Sequence, residues 1–168
     1  MKIAYMHTLF FARLANKTYS KANLKDIEVA LTVCAYNEDE SIADKQTRMT
    51  CDELRTQLEI ENANLDWNKM IVDMKTMMYE LFEGAKESIG EWPNSSAYYS
   101  VDVMFDNREG LCNPQPQLIE VNFMGDWDGV RHIACDENEY HQWIEDFLLC
   151  LGTRQNIDGH PRLIPLVM

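Results

Sequence analysis

The stretch from Tyr98 to Met124 leaves this chain the fewest choices. Two runs rich in β-branched and aromatic residues, Tyr98–Asp106 and Pro116–Met124, flank a connector holding Gly110, Asn113, Pro114 and Pro116. Strand formers on either side of turn and breaker residues predict an antiparallel hairpin. With Phe105 and Leu118 near its open loop, Asp102 falls close to opposite Glu120. Glu120 and Asn122 are two apart and share one face of their strand. Two carboxylates and an amide oxygen then converge, the ligand type that magnesium takes, often together with nucleotide phosphates. Acidic residues on a hairpin face are also commonly just solvated. The flanking residues weigh against that here. Val101 and Val103 bracket Asp102, and Ile119 and Val121 bracket Glu120, so the opposite face is expected to be buried and the polar face to line something. Two carboxylates this close raise a pKa unless a cation or donor stands between them.

A length of 168 residues predicts one domain with one core. A hydrophobic content of 46% excludes disorder. No apolar run approaches the roughly 18 residues of a membrane helix. Met1–Ala15 faintly imitates a signal peptide, but His7 and Arg13 interrupt it, and a strand explains it better. The five cysteines are scattered without a C-x-x-C pair, which predicts reduced thiols and a cytoplasmic location and argues against a disulfide frame or zinc site. A net charge of −13 argues against a nucleic-acid partner. The first 25 residues nevertheless carry Lys2, Arg13, Lys17, Lys21 and Lys25 and no acid. That basic beginning suits phosphates or an acidic peptide, or is simply the solvated ends of a strand and turn.

In chain order, Ile3–Leu14 reads as a strand that begins with no cap or linker, as expected of a chain starting inside a fold. Ala22–Ala30 reads as a helical turn, Leu31–Ala35 as a second strand, and Asn37–Gln46 as an acidic loop. Thr50-Cys51-Asp52-Glu53 is a capping box opening a helix to about Glu61. Asn64–Asp66 offers the cap of a stronger helix. Its apolar stripe of Trp67, Met70, Ile71, Met74, Met78, Leu81 and Phe82 is read as core, with a methionine-rich partner groove as the less common alternative. Gly84 or Gly90 and Pro93 end it. The loop after the hairpin carries Asp126, Asp128, Gly129, Arg131 and His132; a lone histidine of this kind is more often structural than catalytic. A last helix, capped by Asp136–Glu139, has the stripe Tyr140, Trp143, Ile144, Phe147, Leu148 and Leu151 and stops at Gly152. The tail from Thr153 has two prolines and no periodicity, and is expected to be loose.

Several of these segments resemble the tubulin–tyrosine ligase-like family over roughly residues 3–150. Tyr99-Ser-Val-Asp-Val-Met and Pro114-Gln-Pro-Gln-Leu-Ile-Glu-Val-Asn-Phe are similar to the end of its ATP-grasp domain. Phe11-Ala-Arg-Leu-Ala-Asn-Lys-Thr-Tyr resembles its Arg-containing strand and turn. Ala30-Leu31-Thr32-Val33, followed by Tyr36 and Asn37, resembles a variant of its His-Leu-Thr-Asn motif. The resemblance implies an α/β (α+β) fold: the C-terminal portion of an ATP-grasp domain, mostly antiparallel sheet with helices packed on it. It places a partial ATP-grasp domain at residues 1–152 and the tail at 153–168.

The same resemblance implies ATP and Mg2+ as cofactors and the joining of a carboxylate to an amine through an acyl-phosphate. Asp102, Glu120 and Asn122 would hold magnesium against the β- and γ-phosphates. Arg13 would lie near phosphate or the acceptor carboxylate, and Thr32 near the substrate. Tubulin or microtubules would be partners. The departures are specific. Ala30 and Val33 replace the motif's His and Asn, and Phe123-Met124-Gly125-Asp126 stands where the family usually has Phe-Asn-Pro-Asp. The lysine-bearing strands that grasp adenine and the α-phosphate are expected before Met1. Three readings stay open: a ligase-family polypeptide, or the C-terminal half of one, that still binds Mg-ATP; a non-catalytic pseudo-ligase that contacts tubulin or another cytosolic partner; and, more weakly, a plain α/β domain whose acidic hairpin carries no function.

Overall fold

Nine regular elements follow one another in the described residues of the computed structural model: β1 (Ala4–His7), β2 (Phe11–Leu14), β3 (Thr47–Thr50), α1 (Cys51–Glu61), α2 (Trp67–Ala85), β4 (Ser100–Asp106), β5 (Gln115–Asn122), α3 (Glu137–Gly152) and β6 (Leu163–Leu166). The described residues are 4–15, 17–23, 25, 26, 29, 47–89, 96–107, 113–123, 125, 137–152, 157 and 159–166. The expected strand Leu31–Ala35, the loop Asn37–Gln46 and Asp126, Asp128, Gly129, Arg131 and His132 lie outside them. Three antiparallel pairs form, β1 with β6, β2 with β3 and β4 with β5. Helices and antiparallel strands share the chain, so the mixed α/β class is the one observed.

The single strand expected over Ile3–Leu14 is two, with different partners. The reason is local. The Leu9 amide donates to His7 Nδ1 at 2.9 Å, which turns the chain after β1. A 3-10 turn occupies Lys21–Asn23 and Val29 is helical, while residues 24, 27, 28 and 30 of the helical turn expected over Ala22–Ala30 lie outside the described residues. The tail expected to be loose instead contains β6. It pairs with β1 from Ala4↔Leu166 to His7↔Leu163, and Leu163 and Leu166 are buried. Two buried leucines removed from water, each on the order of 2 kcal/mol, outweigh the missing periodicity of the tail.

The helices follow their patterns closely. Thr50 Oγ1 accepts the Glu53 amide at 3.3 Å, and Glu53 Oε2 accepts the Thr50 amide at 2.8 Å, closing the capping box. Asp66 caps α2 by accepting the Lys69 amide at 2.9 Å. Trp67, Met70 and Met74 are buried at three- and four-residue spacing, so the stripe of α2 is core. Leu54, Trp67 and Met70 form its centre, and Phe10, Ala12, Met49, Leu65 and Phe105 pack around them. Phe10 stacks on Trp67 with ring centroids 6.1 Å apart. Strands β2, β3 and β4 therefore share one apolar centre with α1 and α2. In α3, Trp143 is buried as the stripe predicts, whereas Leu148 is 58% exposed and stands off that face.

Candidate functional site

The register of the hairpin decides what its side chains can do together. Asp102 pairs with Glu120, Val101 with Val121 and Ser100 with Asn122. Asp102, Glu120 and Asn122 thus project from one face of two adjacent strands, as the alternation predicts. A register shift follows between Asp102 and Val103, after which Val103 pairs with Leu118 and Phe105 with Pro116. Ile119 is the extra residue of this bulge and has no opposite number. Ile119 was expected to flank a buried face; left unpaired at the bulge, it is 56% exposed. The inner face is anchored elsewhere, through Phe105 in the core.

The polar face is open to solvent: Asp102, Glu120 and Asn122 are all exposed. Asn122 Nδ2 donates to Glu120 Oε1 at 3.0 Å, which ties the two side chains together and leaves the Asn122 oxygen outside that bond. The Asp102 carboxyl lies within hydrogen-bonding reach of Glu120. Partial desolvation and the charge of Glu120 push the Asp102 carboxyl above the usual 3.8, and the charge of Arg13 opposes that rise. Arg13 is on β2, with its guanidinium 5.2 Å from the centroid of the Phe11 ring. Thr32 lies outside the described residues.

The donor set suits a hard divalent cation. Two carboxylates that raise each other's proton affinity are stabilised by a cation between them, and an amide oxygen supplies a neutral third ligand. Among the described residues no three His, Cys, Asp or Glu side chains gather as a metal-holding group. A cation on this face would draw on Asn122 beside the two carboxylates and on further oxygens, as magnesium does when it bridges to phosphates.

Gly125, just beyond β5, makes a close approach. A Cβ on Gly125 would stand 1.5 Å from the Tyr98 ring. Tyr98 in turn meets Trp143 and Phe147 edge-on, with centroids 5.7 and 5.4 Å away. The end of the strand that carries Asn122 is thereby held against α3.

Sequence reasoning missed a second polar centre. Asp146 of α3 is 2% exposed and accepts from Arg162 and His7, with His160 Nε2 3.3 Å from its Oδ1. The signal was present: Asp146 falls three residues after Trp143, on the inner face of an amphipathic helix, where a charge needs partners.

An antiparallel α/β framework presenting an acidic and amide-bearing hairpin defines the class. The family follows from comparison: the tubulin-tyrosine ligase family profile matches residues 2–159, and the chain belongs to that family. It is 29% identical over 130 residues to tubulin–tyrosine ligase-like protein 12 of Homo sapiens, an alignment covering 73% of this chain and 20% of the relative. Identity to the protein of the same name from Mus musculus is 28% over 130 residues, with the same coverage. The chain thus aligns with about one fifth of the length of these relatives. No solved structure matches it. No helix of the described residues is long and apolar enough to cross a membrane.

Proposed function

We propose that this chain binds a magnesium–nucleotide complex through Asp102, Glu120 and Asn122 without itself completing a ligation. The observation that carries the reading is the pairing of Asp102 with Glu120, with Asn122 on the same face. Asp102 and Glu120 would each give the cation a carboxylate oxygen, and Asn122 its amide oxygen. Magnesium would supply electrostatic stabilisation of charge on a transferring phosphoryl group. Arg13, whose charge is already felt at Asp102, would steady phosphate oxygens from the β2 side. Thr32 would lie towards the substrate.

Two substitutions favour binding over turnover. Ala30 and Val33 stand where the family motif has a histidine and an asparagine, so two polar groups of that motif are missing. A pseudo-ligase with a regulatory role, in contact with tubulin or another cytosolic partner, is the form of this reading that the substitutions support. Isothermal titration with Mg-ATP tests it. The parent chain should give a saturable heat that Glu120→Gln reduces at least tenfold in affinity. A titration without heat in the folded parent chain would remove the nucleotide-binding proposal. Co-sedimentation with microtubules tests the partner separately, and absence from the pellet would count against tubulin.

A further inference from the structure

We propose that Asp146 is the centre of a proton-sensitive clasp that holds the segment ending in β6 onto β1, shut at neutral pH and released by mild acid. Three elements meet at this carboxylate. From β1, His7 Nε2 donates to Oδ2 at 3.0 Å. From the segment before β6, Arg162 Nη2 donates to Oδ1 at 2.7 Å, Arg162 Nε donates to Oδ2, and His160 Nε2 lies 3.3 Å from Oδ1. Arg162 Nη2 also reaches the Gln142 carbonyl of α3 at 3.5 Å. Next to the clasp, the Thr8 amide donates to the Arg162 carbonyl at 2.9 Å, and the β1–β6 ladder runs on to Ala4 and Leu166.

The sensitivity to protons lies in the other ring nitrogens. The Leu9 amide donates to His7 Nδ1 at 2.9 Å, and the Arg162 amide donates to His160 Nδ1 at 3.3 Å. Each ring therefore carries its hydrogen on Nε2, towards Asp146, and uses its remaining lone pair on a backbone amide. A proton added at Nδ1 would face an N–H, and the contact that sets the turn after His7 would be lost. This arrangement also leaves His7 no lone pair with which to act as a general base. The fixed guanidinium across both oxygens of Asp146 argues against a metal site. Among the described residues, the charged and titratable groups bearing on the centre are His7 from β1, His160 and Arg162 from the segment before β6, Cys150 on α3, whose thiol feels the charge of Asp146, and Glu139 and Glu145 on α3, whose charges act on Arg162.

Electrostatics agree with the geometry. Burial pushes His7 below its ordinary 6.5, and the hydrogen bond and charge of Asp146 only partly oppose it. The folded chain thus favours the neutral ring. The unfolded chain takes up the proton first, so stability is full above about 6.5 and falls as pH drops below it.

Hydrogen exchange on the full chain between pH 7.5 and 5.5, corrected for intrinsic rates, tests the clasp. Amides of β1 and β6 should lose protection on acidification, approaching tenfold per pH unit for one linked proton. Those of β4 and β5 should not follow. In a His7→Asn, His160→Asn double variant, each asparagine oxygen can accept the same backbone amide but cannot titrate. Its β1–β6 exchange should be faster at pH 7.5 and flat with pH. Parent protection that does not change with pH would overturn the proposal, as would acid opening that persists in the double variant. Should that variant not fold, ring nitrogen shifts of the parent decide: the proposal requires the Nε2–H form of His7 at pH 7.5 and fails if the Nδ1–H form is found.

Discussion

Asp102 and Asp146 are aspartates of one chain under opposite electrostatics. Asp146 is buried on α3 and faces an arginine and two histidines. Burial alone would raise its carboxyl, but hydrogen bonds from Arg162 and His7 outweigh that and hold it below the usual carboxylate value. Asp102 is exposed on β4 and faces another carboxylate, so desolvation and Glu120 together raise it. The first aspartate has its cations built into the chain and joins elements distant in sequence. The second is placed beside a like charge on a face where a mobile cation can reach it. A buried carboxylate without partners is costly, whereas an exposed pair persists at little cost and is free to bind. The difference separates a group that holds the fold from groups suited to a ligand.

Removing each aspartate gives the sharpest contrast. Asp146→Ala leaves Arg162 without its carboxylate and should lower unfolding stability by about 3 kcal/mol, as breaking a buried pair does. Urea denaturation at pH 7 measures it, and a loss no greater than that of a surface substitution would erase the distinction. Gly125→Ala probes the join between the regions, because its Cβ would run into Tyr98, which packs on α3 beside Trp143. Its expected cost is about 1–3 kcal/mol, again by urea denaturation, since the ring must move out of a packed site.

Magnesium should act on one region alone. At ten times its dissociation constant it should add about 1.4 kcal/mol to the parent chain and no more than about 0.4 kcal/mol to Glu120→Gln, read as a shift in thermal midpoint. The smallest effect belongs to Asp102→Asn, expected within about 0.5 kcal/mol of the parent in denaturation. Its sign is informative. A raised carboxyl favours the protonated form in the folded chain, so Asp102 withdraws stability as pH rises above 3.8, whereas Asp146, held low, withdraws it as pH falls. Asp102→Asn should therefore be neutral to slightly stabilising at pH 7, while Asp146→Ala is strongly destabilising.

What could be read in the sequence was local. The capping box at Thr50 and Glu53, the stripe from Trp67 to Met74 and the facing of Asp102 and Glu120 all rest on contacts within a turn, a helix or a hairpin. What escaped rests on distant pairing. Strand β6 is four residues long and contains Pro165, which lowers any strand reading, yet Pro165 pairs with Tyr5 across nearly the whole chain. Strand β3 is equally short and was hidden by the cap that follows it. The break at Thr8 depends on the His7 side chain meeting the Leu9 amide, which no periodicity encodes. The Asp146 centre draws on residues 7, 146, 160 and 162, so no window along the chain contains it. The bulge at Ile119 shifts half the hairpin by one residue while leaving Asp102 opposite Glu120, so the candidate site was legible even though part of its supporting strand was not.

Backbone amide spectra recorded with increasing Mn2+, a paramagnetic stand-in for magnesium, would test the assignment of the two aspartates most directly. Signals of Asp102, Glu120, Asn122 and their strand neighbours should broaden first and recover when excess Mg2+ is added, while those around Asp146 and Arg162 stay sharp. Broadening centred on Asp146, or none at the hairpin at millimolar ion, would contradict the account.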